Sequence, residues 1–339
     1  MHKNPDTPKG TLHTISVASR ALTSNMLGDP TTRKVIVYVP FEHTGSDLPL
    51  LVDLVGYTAG GPAHTNWKNF GENVPERLDR LIASGVMDPA VVAFPDCYTR
   101  LGGNQYINSI AMGNWEDFLI KDMLPAIENR FLCGGDGKRA VFGKSSGGYG
   151  SLIHAMRHSD VWSAAACHSG DMAFEMTYLP EMPQVLRALS SHEGSIEAYI
   201  NKIETGNSWD GTDIHILMLL AMAATYDPDP GSYLGIRLPV DPWTCELIPE
   251  LWENWLQWDP LVQFTQSKDN LKTLKGLWID CGNLDQFDLV YAARRMHRNL
   301  EHADIPHIYE EFPDDHFSVD YRMDKSLPYL VNALNDKYL

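Results

Sequence analysis

The sequence is short of long apolar runs and of basic residues. Its longest mostly apolar stretch, residues 214–224, contains His215 and is about half as long as a membrane-spanning helix must be. Lys and Arg number 27 against 44 Asp and Glu, which gives a formal net charge of −17. Proteins that bind nucleic acid or anionic membranes need clustered basic residues, so this balance argues against both kinds of partner.

The five cysteines fit neither a disulfide framework nor a zinc site, because they are odd in number, far apart and without C-x-x-C spacing. They are Cys97, Cys133, Cys167, Cys245 and Cys281. Residues 1–10 are polar and lack the apolar core of a signal peptide. We therefore expect reduced thiols, no metal and a cytoplasmic location.

Short apolar runs alternate with helical patterns along most of the chain. The predicted strands are residues 33–40, 50–55, 90–94, 138–142, 162–167, 276–280 and 307–312. The predicted helices are residues 74–84, 115–130, 147–158, 286–302 and 318–334. The strand at 33–40 alternates and reads as antiparallel, whereas the others suit strands covered on both faces. The pattern predicts an α/β fold with a mostly parallel, doubly wound sheet.

The alternation stops between residues 171 and 258. This segment has helical patterns, no convincing strand and five of the nine tryptophans, which are Trp209, Trp243, Trp252, Trp255 and Trp258. We expect a mostly helical cap or lid inserted into a single domain that spans residues 1–339.

The segment Gly143-Lys144-Ser145-Ser146-Gly147 matches G-x-S-x-G between a predicted strand and a predicted helix. A serine on such a sharp turn exposes its hydroxyl at the edge of the sheet, and the glycines leave room for the turn. The fragment Gly-Lys-Ser also resembles the end of a phosphate-binding loop, but Lys138 stands where that motif needs its first glycine. The context therefore favours a nucleophilic Ser145.

A nucleophilic serine needs a histidine base and a carboxylate that orients it. In doubly wound hydrolases these follow in the order Ser, acid, His, each after a late strand. Asp285 follows the strand at 276–280, and His316 follows the strand at 307–312. Asp280, Asp314 and Asp315 are nearby competitors for the acid, and the reach of its loop favours Asp285.

Two backbone N–H groups should stabilise a developing oxyanion. One is that of Ser146, directly after the nucleophile. The loop after the strand at 50–55 reads GYTAGGP, and Tyr57 is the expected second donor.

These residues resemble the putative esterase family of α/β-hydrolases, which includes esterase D, the S-formylglutathione hydrolases, feruloyl esterases and enterochelin esterases. The resemblance lies in SNMLGDP at 24–30, GYTAGG, GKSSGG, IDCGNLDQF and DDHF, and it covers nearly the whole chain. It implies an α/β-hydrolase fold with Ser145 as nucleophile, His316 as base and Asp285 as acid. It also implies N–H groups of Tyr57 and Ser146 in the oxyanion hole.

The sequence departs from the formylglutathione hydrolases in two motifs and in the larger 171–258 insertion. Residues 56–59 read GYTA where those enzymes have GLTC, and 143–148 read GKSSGG where they have GHSMGG. These differences argue against formylglutathione as the substrate.

Several residues near the predicted site are candidates for substrate contact: Lys144, Asn104, Gln105, Tyr106, His168, Trp252 and Trp255. For each, the alternative is a structural role. Lys144 would form a local salt bridge, the residues at 104–106 would bond loop backbone, and the tryptophans would pack in the core.

The sequence thus predicts a serine carboxylesterase that hydrolyses small-to-medium carboxylic esters without a metal or organic cofactor. A thioesterase, an acyltransferase with the same triad and a peptidase or amidase remain alternatives. So does a non-catalytic binding protein on the same fold. The expected partner is a small-molecule ester, and a homodimer is compatible with the sequence.

Overall fold

The computed structural model describes residues 6–337. The strands are β1 (Thr11–Ala18), β2 (Thr32–Val39), β3 (Leu50–Leu54), β4 (Val91–Pro95), β5 (Asn108–Ser109), β6 (Gly113–Asn114), β7 (Arg139–Lys144), β8 (Ala164–His168), β9 (Gly276–Gly282) and β10 (Ile308–Phe312). The α-helices are α1 (Val74–Ala83), α2 (Trp115–Asp117), α3 (Leu124–Phe131), α4 (Ser146–Arg157), α5 (Phe174–Thr177), α6 (Met182–Ser190), α7 (Ile196–Thr205), α8 (Gly211–Tyr226), α9 (Pro249–Leu256), α10 (Pro260–Leu271), α11 (Leu289–His302) and α12 (Met323–Leu334). A π-helical segment, Phe118–Met123, joins α2 to α3.

Eight strands form one sheet in the order β1-β2-β4-β3-β7-β8-β9-β10. The β1–β2 and β2–β4 pairs are antiparallel, and the pairs from β4 to β10 are parallel. This mostly parallel α/β sheet confirms the fold class predicted from the sequence, including the antiparallel strand at 33–40.

Both faces of the sheet are covered, because the central strands carry apolar side chains in both directions. Every residue of β3, β4, β8 and β9 is buried. Neighbouring residues of a strand point to opposite faces. Leu51 accordingly belongs to an apolar cluster with Leu78 of α1 and Leu327 of α12. Val52 belongs to the larger cluster on the other face, which includes Leu152 of α4.

The chain between β8 and β9 is helical. It contains α5 to α10, and within the described residues no strand interrupts them. The second half of α8 is buried almost completely, so this segment packs against the rest of the molecule. That it acts as a cap or lid stays a prediction.

Several elements differ from the predicted ones. The strand β1 and the two-residue strands β5 and β6 were not predicted, although Thr11–Ala18 alternates as an edge strand does. The predicted helix at 115–130 is divided into α2, the π-helical segment and α3. α11 begins at Leu289 and α12 at Met323, later than predicted, because loop backbone precedes α11 and a 3-10 turn, Asp320–Arg322, precedes α12. Asp288 and Ser318 both adopt positive φ angles, 58° in each case, which a continuing α-helix does not allow.

Among residues 6–337, no helix is long and apolar enough to cross a membrane.

Candidate active site

Ser145 lies on a sharp turn between β7 and α4. Its φ and ψ angles are 73° and −118°, a strained conformation for a residue with a side chain. The flanking glycines make the turn sterically feasible. A Cβ on Gly147 would lie 1.7 Å from the carbonyl oxygen of Leu54, and one on Gly143 would lie 2.2 Å from the same atom. No larger residue fits at either position without moving β3.

The sheet brings Ser145, His316 and Asp285 into one hydrogen-bonded chain. Ser145 Oγ lies 2.9 Å from His316 Nε2, and His316 Nδ1 lies 2.7 Å from Asp285 Oδ2. His316 and Asp285 are 4% and 5% exposed, so most of the bulk water is excluded from their contact. Asp285 follows β9 and His316 follows β10, as the sequence predicted. This order of serine, imidazole and carboxylate is the arrangement that activates a serine hydroxyl.

Further hydrogen bonds hold the acid and the histidine in place. The backbone N–H of Phe287 donates to Asp285 Oδ1 over 3.0 Å. The backbone N–H of His316 donates to Gln286 Oε1 over 3.1 Å, which joins the two loops. The Phe287 ring packs edge-on against the imidazole with 4.9 Å between ring centres. The segment Asp285-Gln286-Phe287 therefore orients the histidine with all three of its residues.

The competing carboxylates are engaged elsewhere. Asp280 accepts from Arg322 Nε over 2.9 Å and lies 2.6 Å from His168 Nδ1. Burial raises the pKa of Asp280, but the contacts with His168, Trp278 and Arg322 together outweigh it, and the net shift is downward. Asp314 and Asp315 accept backbone N–H groups of the turn that carries His316.

The two expected oxyanion donors, Ser146 and Tyr57, belong to segments that border the nucleophile. Ser146 is the first residue of α4, and N–H groups in the first turn of a helix lack partners within the helix. Tyr57 follows β3 and is packed tightly by the loop after β4. A Cβ on Gly103 would lie 2.1 Å from the Tyr57 carbonyl oxygen. The Tyr57 hydroxyl also donates to the carbonyl of Leu101. Next to Tyr57, a Cβ on Gly56 would lie 3.5 Å from Ser145 Cβ, so this loop borders the nucleophile.

Most predicted substrate contacts have structural roles instead. Asn104 is 4% exposed and donates to the carbonyl of Cys97 over 3.2 Å, and the Tyr106 hydroxyl donates to the carbonyl of Val55 over 2.6 Å. Both side chains thus bond loop backbone. Trp255 is fully buried and Trp252 is 6% exposed, which makes them core residues.

His168 is a further correction. Its Nδ1 lies 2.6 Å from Asp280 and its Nε2 lies 3.0 Å from Ser326 Oγ, while the residue is 2% exposed. Both ring nitrogens already have protein partners, so the ring has no free group for a substrate. What His168 gives the site is its carbonyl, which accepts the backbone N–H of Ser145 over 3.0 Å.

Lys144 forms no salt bridge with another residue of the described chain, contrary to expectation. Its Nζ lies 5.7 Å from the centre of the Phe317 ring. Burial lowers the pKa of the Lys144 ammonium group, and the carboxylates of Asp320 and Asp285 counteract this in part.

Gln105 has a partner that the sequence did not reveal. Its Nε2 donates to Ser146 Oγ over 2.9 Å and lies 3.4 Å from Asp171 Oδ2. Burial raises the pKa of Asp171, which is 6% exposed and also accepts from the Tyr178 hydroxyl over 2.9 Å. The available signal was the position of Asp171 in the loop after the predicted strand at 162–167, because residues that follow parallel strands gather at one edge of the sheet.

Within the described residues, no group of three or more His, Cys, Asp or Glu side chains is arranged to hold a metal ion.

Comparison with known families identifies the chain. A family described as "Putative esterase" matches residues 24–324. The chain belongs to this family. It is accordingly a hydrolase that acts on ester bonds. No curated protein matches the chain.

Solved structures share the fold at low sequence identity. A ferulic acid esterase superposes with a TM-score of 0.64 at 20% identity, covering 96% of this chain and 99% of that one. An S-formylglutathione hydrolase from Staphylococcus aureus superposes with a TM-score of 0.59 at 12% identity, covering 95% of this chain and 99% of that one. An S-formylglutathione hydrolase from Agrobacterium tumefaciens superposes with a TM-score of 0.58 at 15% identity, covering 98% of this chain and 99% of that one. The family member described here thus has the α/β-hydrolase fold.

Proposed function

We propose that this esterase is a serine carboxylesterase that hydrolyses small-to-medium carboxylic esters through an acyl-enzyme. The observation that carries the proposal is the hydrogen-bonded chain from Ser145 Oγ through His316 to Asp285, with distances of 2.9 and 2.7 Å. Its three members lie after strands β7, β9 and β10, at the edge where α/β sheets bind ligands.

In acylation, His316 Nε2 takes the proton of Ser145 as the oxygen attacks the ester carbonyl carbon. Asp285 holds the ring with Nδ1–H directed at the carboxylate and stabilises the imidazolium that forms. The tetrahedral intermediate collapses when His316 gives the proton to the departing alcohol. Water then attacks the acyl carbon while His316 takes its proton. The second tetrahedral intermediate expels Ser145 Oγ, which regains the proton from His316 as the acid is released.

The N–H groups of Ser146 and Tyr57 stabilise the oxyanion in both tetrahedral intermediates. Removing one donor of this kind typically lowers kcat about 10²–10³-fold. Because the helix N-terminus at Ser146 carries a partial positive charge, it favours the same developing negative charge.

The test is hydrolysis of p-nitrophenyl esters from acetate to decanoate by the wild type and by Ser145→Ala. We expect turnover concentrated on the shorter chains and lost in the variant, whose fold is kept. Ser191→Ala, at an exposed position on the surface after α6, is the matched control and should match the wild type. Near-normal turnover by Ser145→Ala would overturn the proposal.

Comparing the rate of hydrolysis of a thioester with that of the oxygen ester of the same acyl group distinguishes a thioesterase from a carboxylesterase. Adding an alcohol acceptor and analysing the products separates acyl transfer from hydrolysis. We expect free acid from the oxygen ester as the main product.

A further inference from the structure

A buried chain of polar contacts runs from Ser146 into the helical segment between β8 and β9. Gln105 Nε2 donates to Ser146 Oγ over 2.9 Å and lies 3.4 Å from Asp171 Oδ2. The Tyr178 hydroxyl donates to the same carboxylate oxygen over 2.9 Å. All four residues are 6% exposed or less.

The chain connects parts of the molecule that are distant in sequence. Gln105 lies in the loop after β4, Ser146 begins α4, Asp171 follows β8 and Tyr178 follows α5. The Tyr226 hydroxyl, at the end of α8, lies 3.5 Å from that of Tyr178. The contact with Ser146 is therefore braced by the helical segment as well as by the sheet.

The backbone around Gln105 is fixed on both sides. Asn104 Oδ1 accepts the backbone N–H of Tyr106 over 2.6 Å. The Tyr106 ring packs so closely on α4 that a Cβ on Gly150 would lie 2.6 Å from it. Met222 Sδ, in α8, lies 2.9 Å from Gln105 Nε2 and restricts movement of the amide in that direction. Gln105 is thus held rigidly enough to orient another side chain.

We propose that Gln105 is a positioning residue for the oxyanion hole. By fixing Ser146 Oγ, it keeps the Ser146 N–H directed at the developing oxyanion, while Asp171 and Tyr178 fix the Gln105 amide in turn. The inference rests on the proposed function, in which the Ser146 N–H is an oxyanion donor. Misplacement of such a donor by about 1 Å costs on the order of 10² in rate, so a constraint on its neighbouring side chain matters.

The same contacts argue against a direct substrate contact by Gln105. The residue is 1% exposed, and its Nε2 faces protein atoms of Ser146, Asp171 and Met222. Its Oε1 is also buried, without a hydrogen-bond partner among the described residues. Gln105 therefore acts through Ser146.

The experiment compares Gln105→Leu, Ser146→Ala and the double variant on p-nitrophenyl acetate and butyrate. We expect kcat to fall about 10- to 100-fold in each single variant with KM nearly unchanged, because the lost contact serves the transition state. The double variant should be no slower than the slower single one, since both changes remove one interaction. The Ki of a trifluoromethyl ketone, whose adduct carries an oxyanion, should rise by the same factor as kcat falls.

Asp171→Asn and Asp171→Leu test the bracing of the amide. Asparagine keeps an oxygen for the Tyr178 hydroxyl and should retain most of the turnover, whereas leucine should reduce kcat as Gln105→Leu does. Thr225→Val is the matched control, because among residues 6–337 this buried hydroxyl in α8 bonds only the carbonyl of Ala221 in its own helix. It should leave kcat and KM unchanged.

Unchanged kcat in both Gln105→Leu and Ser146→Ala would overturn the inference, and so would multiplicative losses in the double variant. A change confined to KM, different for the two esters, would also overturn it and would make Gln105 a substrate contact. Ser145→Ala separates these results from the proposed function. If Ser145→Ala stays active, the proposed function itself fails. If Ser145→Ala is inactive but Gln105→Leu has normal kcat, only the positioning role of Gln105 is refuted.

Discussion

At Ser145, the backbone adopts a conformation that residues with side chains avoid. Its φ of 73° turns the hydroxyl toward His316 at the end of β7. Such strain costs about 1–3 kcal/mol and persists when the surroundings impose it. Here the close approach of Gly143 and Gly147 to β3 imposes the strain. The strained turn lowers the local stability of the backbone, and it also presents the Ser145 hydroxyl to His316.

Asp285→Asn tests the role of the carboxylate. The amide of asparagine does not stabilise the imidazolium and favours the wrong tautomer of His316, so we expect kcat to fall by roughly 10³–10⁴-fold. The melting temperature should change little, because the side chain keeps its shape. Steady-state kinetics on p-nitrophenyl acetate and a thermal melt measure both quantities.

Asp315→Asn is the control for that variant. Asp315 accepts the N–H of Phe317 over 2.7 Å, which the oxygen of asparagine also does. We expect kcat within about threefold of the wild type, since the carboxylate bonded to the imidazole, that of Asp285, is kept. A loss as large as that of Asp285→Asn would show that the acid has been assigned wrongly.

At the scale of elements, the β7–α4 turn depends on the absence of side chains against β3. In Gly147→Ala, the new methyl group would meet the Leu54 carbonyl oxygen at 1.7 Å, and β3 or α4 must shift. We expect a destabilisation of roughly 3 kcal/mol or more together with loss of turnover. Urea unfolding followed by circular dichroism measures it.

Gly211→Ala is the matched change at a helix start with open space. A Cβ there meets no atom within 4 Å. Alanine is the better helix former, so its free energy of unfolding should equal or slightly exceed that of the wild type. Equal destabilisation of Gly147→Ala and Gly211→Ala would contradict the steric explanation of the β7–α4 turn.

His154 joins α4 to the loop after β4 and makes their association sensitive to acid. Its Nε2 lies 2.8 Å from the carbonyl of Tyr106, and its Nδ1 accepts from Trp162 Nε1 over 3.1 Å. Burial lowers the pKa of His154 from 6.5 to about 4. The unfolded chain therefore binds the proton first as the pH falls. The neutral, buried His154 therefore contributes fully to the free energy of unfolding above pH 6.5, the pKa of histidine in the unfolded chain. This contribution, roughly 3 kcal/mol, is lost as the pH falls from 6.5 to about 4.

His154→Gln should remove that pH dependence. Glutamine can donate and accept as the neutral imidazole does, but it does not titrate. We expect the difference in unfolding free energy between pH 7.5 and pH 4.5 to be smaller in the variant than in the wild type, as measured by urea titration. Parallel pH profiles for the two proteins would be the contrary result.

Over the whole molecule, the sheet order brings together residues that are far apart in sequence. Ser145 and His316 are 171 positions apart, yet β7, β8, β9 and β10 are parallel neighbours and end at one edge. Strand-helix alternation predicts the mostly parallel sheet, because many residues along the chain share that periodicity. The order Ser, Asp, His then predicts that the three residues lie at the same edge of the sheet, although it does not show that their side chains meet.

The sequence could not reveal which side chains at that edge are already bonded to protein groups. His168 is the last residue of β8, at the edge where a candidate contact should lie, but both its ring nitrogens are bonded, one to Asp280 and one to Ser326 of α12. The bond between Gln105 and Ser146 likewise joins the loop after β4 to the start of α4, 41 positions away. Pairings of this kind depend on side-chain directions in three dimensions, and no local pattern encodes them.

The central claim is that Ser145 is the nucleophile activated by His316, and covalent labelling tests it most directly. The wild type, Ser145→Ala and His316→Ala are treated with a fluorophosphonate, and the labelled peptide is identified by mass spectrometry. We predict one phosphonyl adduct in the wild type, on Ser145. We predict no adduct in Ser145→Ala and much slower labelling in His316→Ala. An adduct on another residue, or ester hydrolysis that survives in Ser145→Ala, would contradict it.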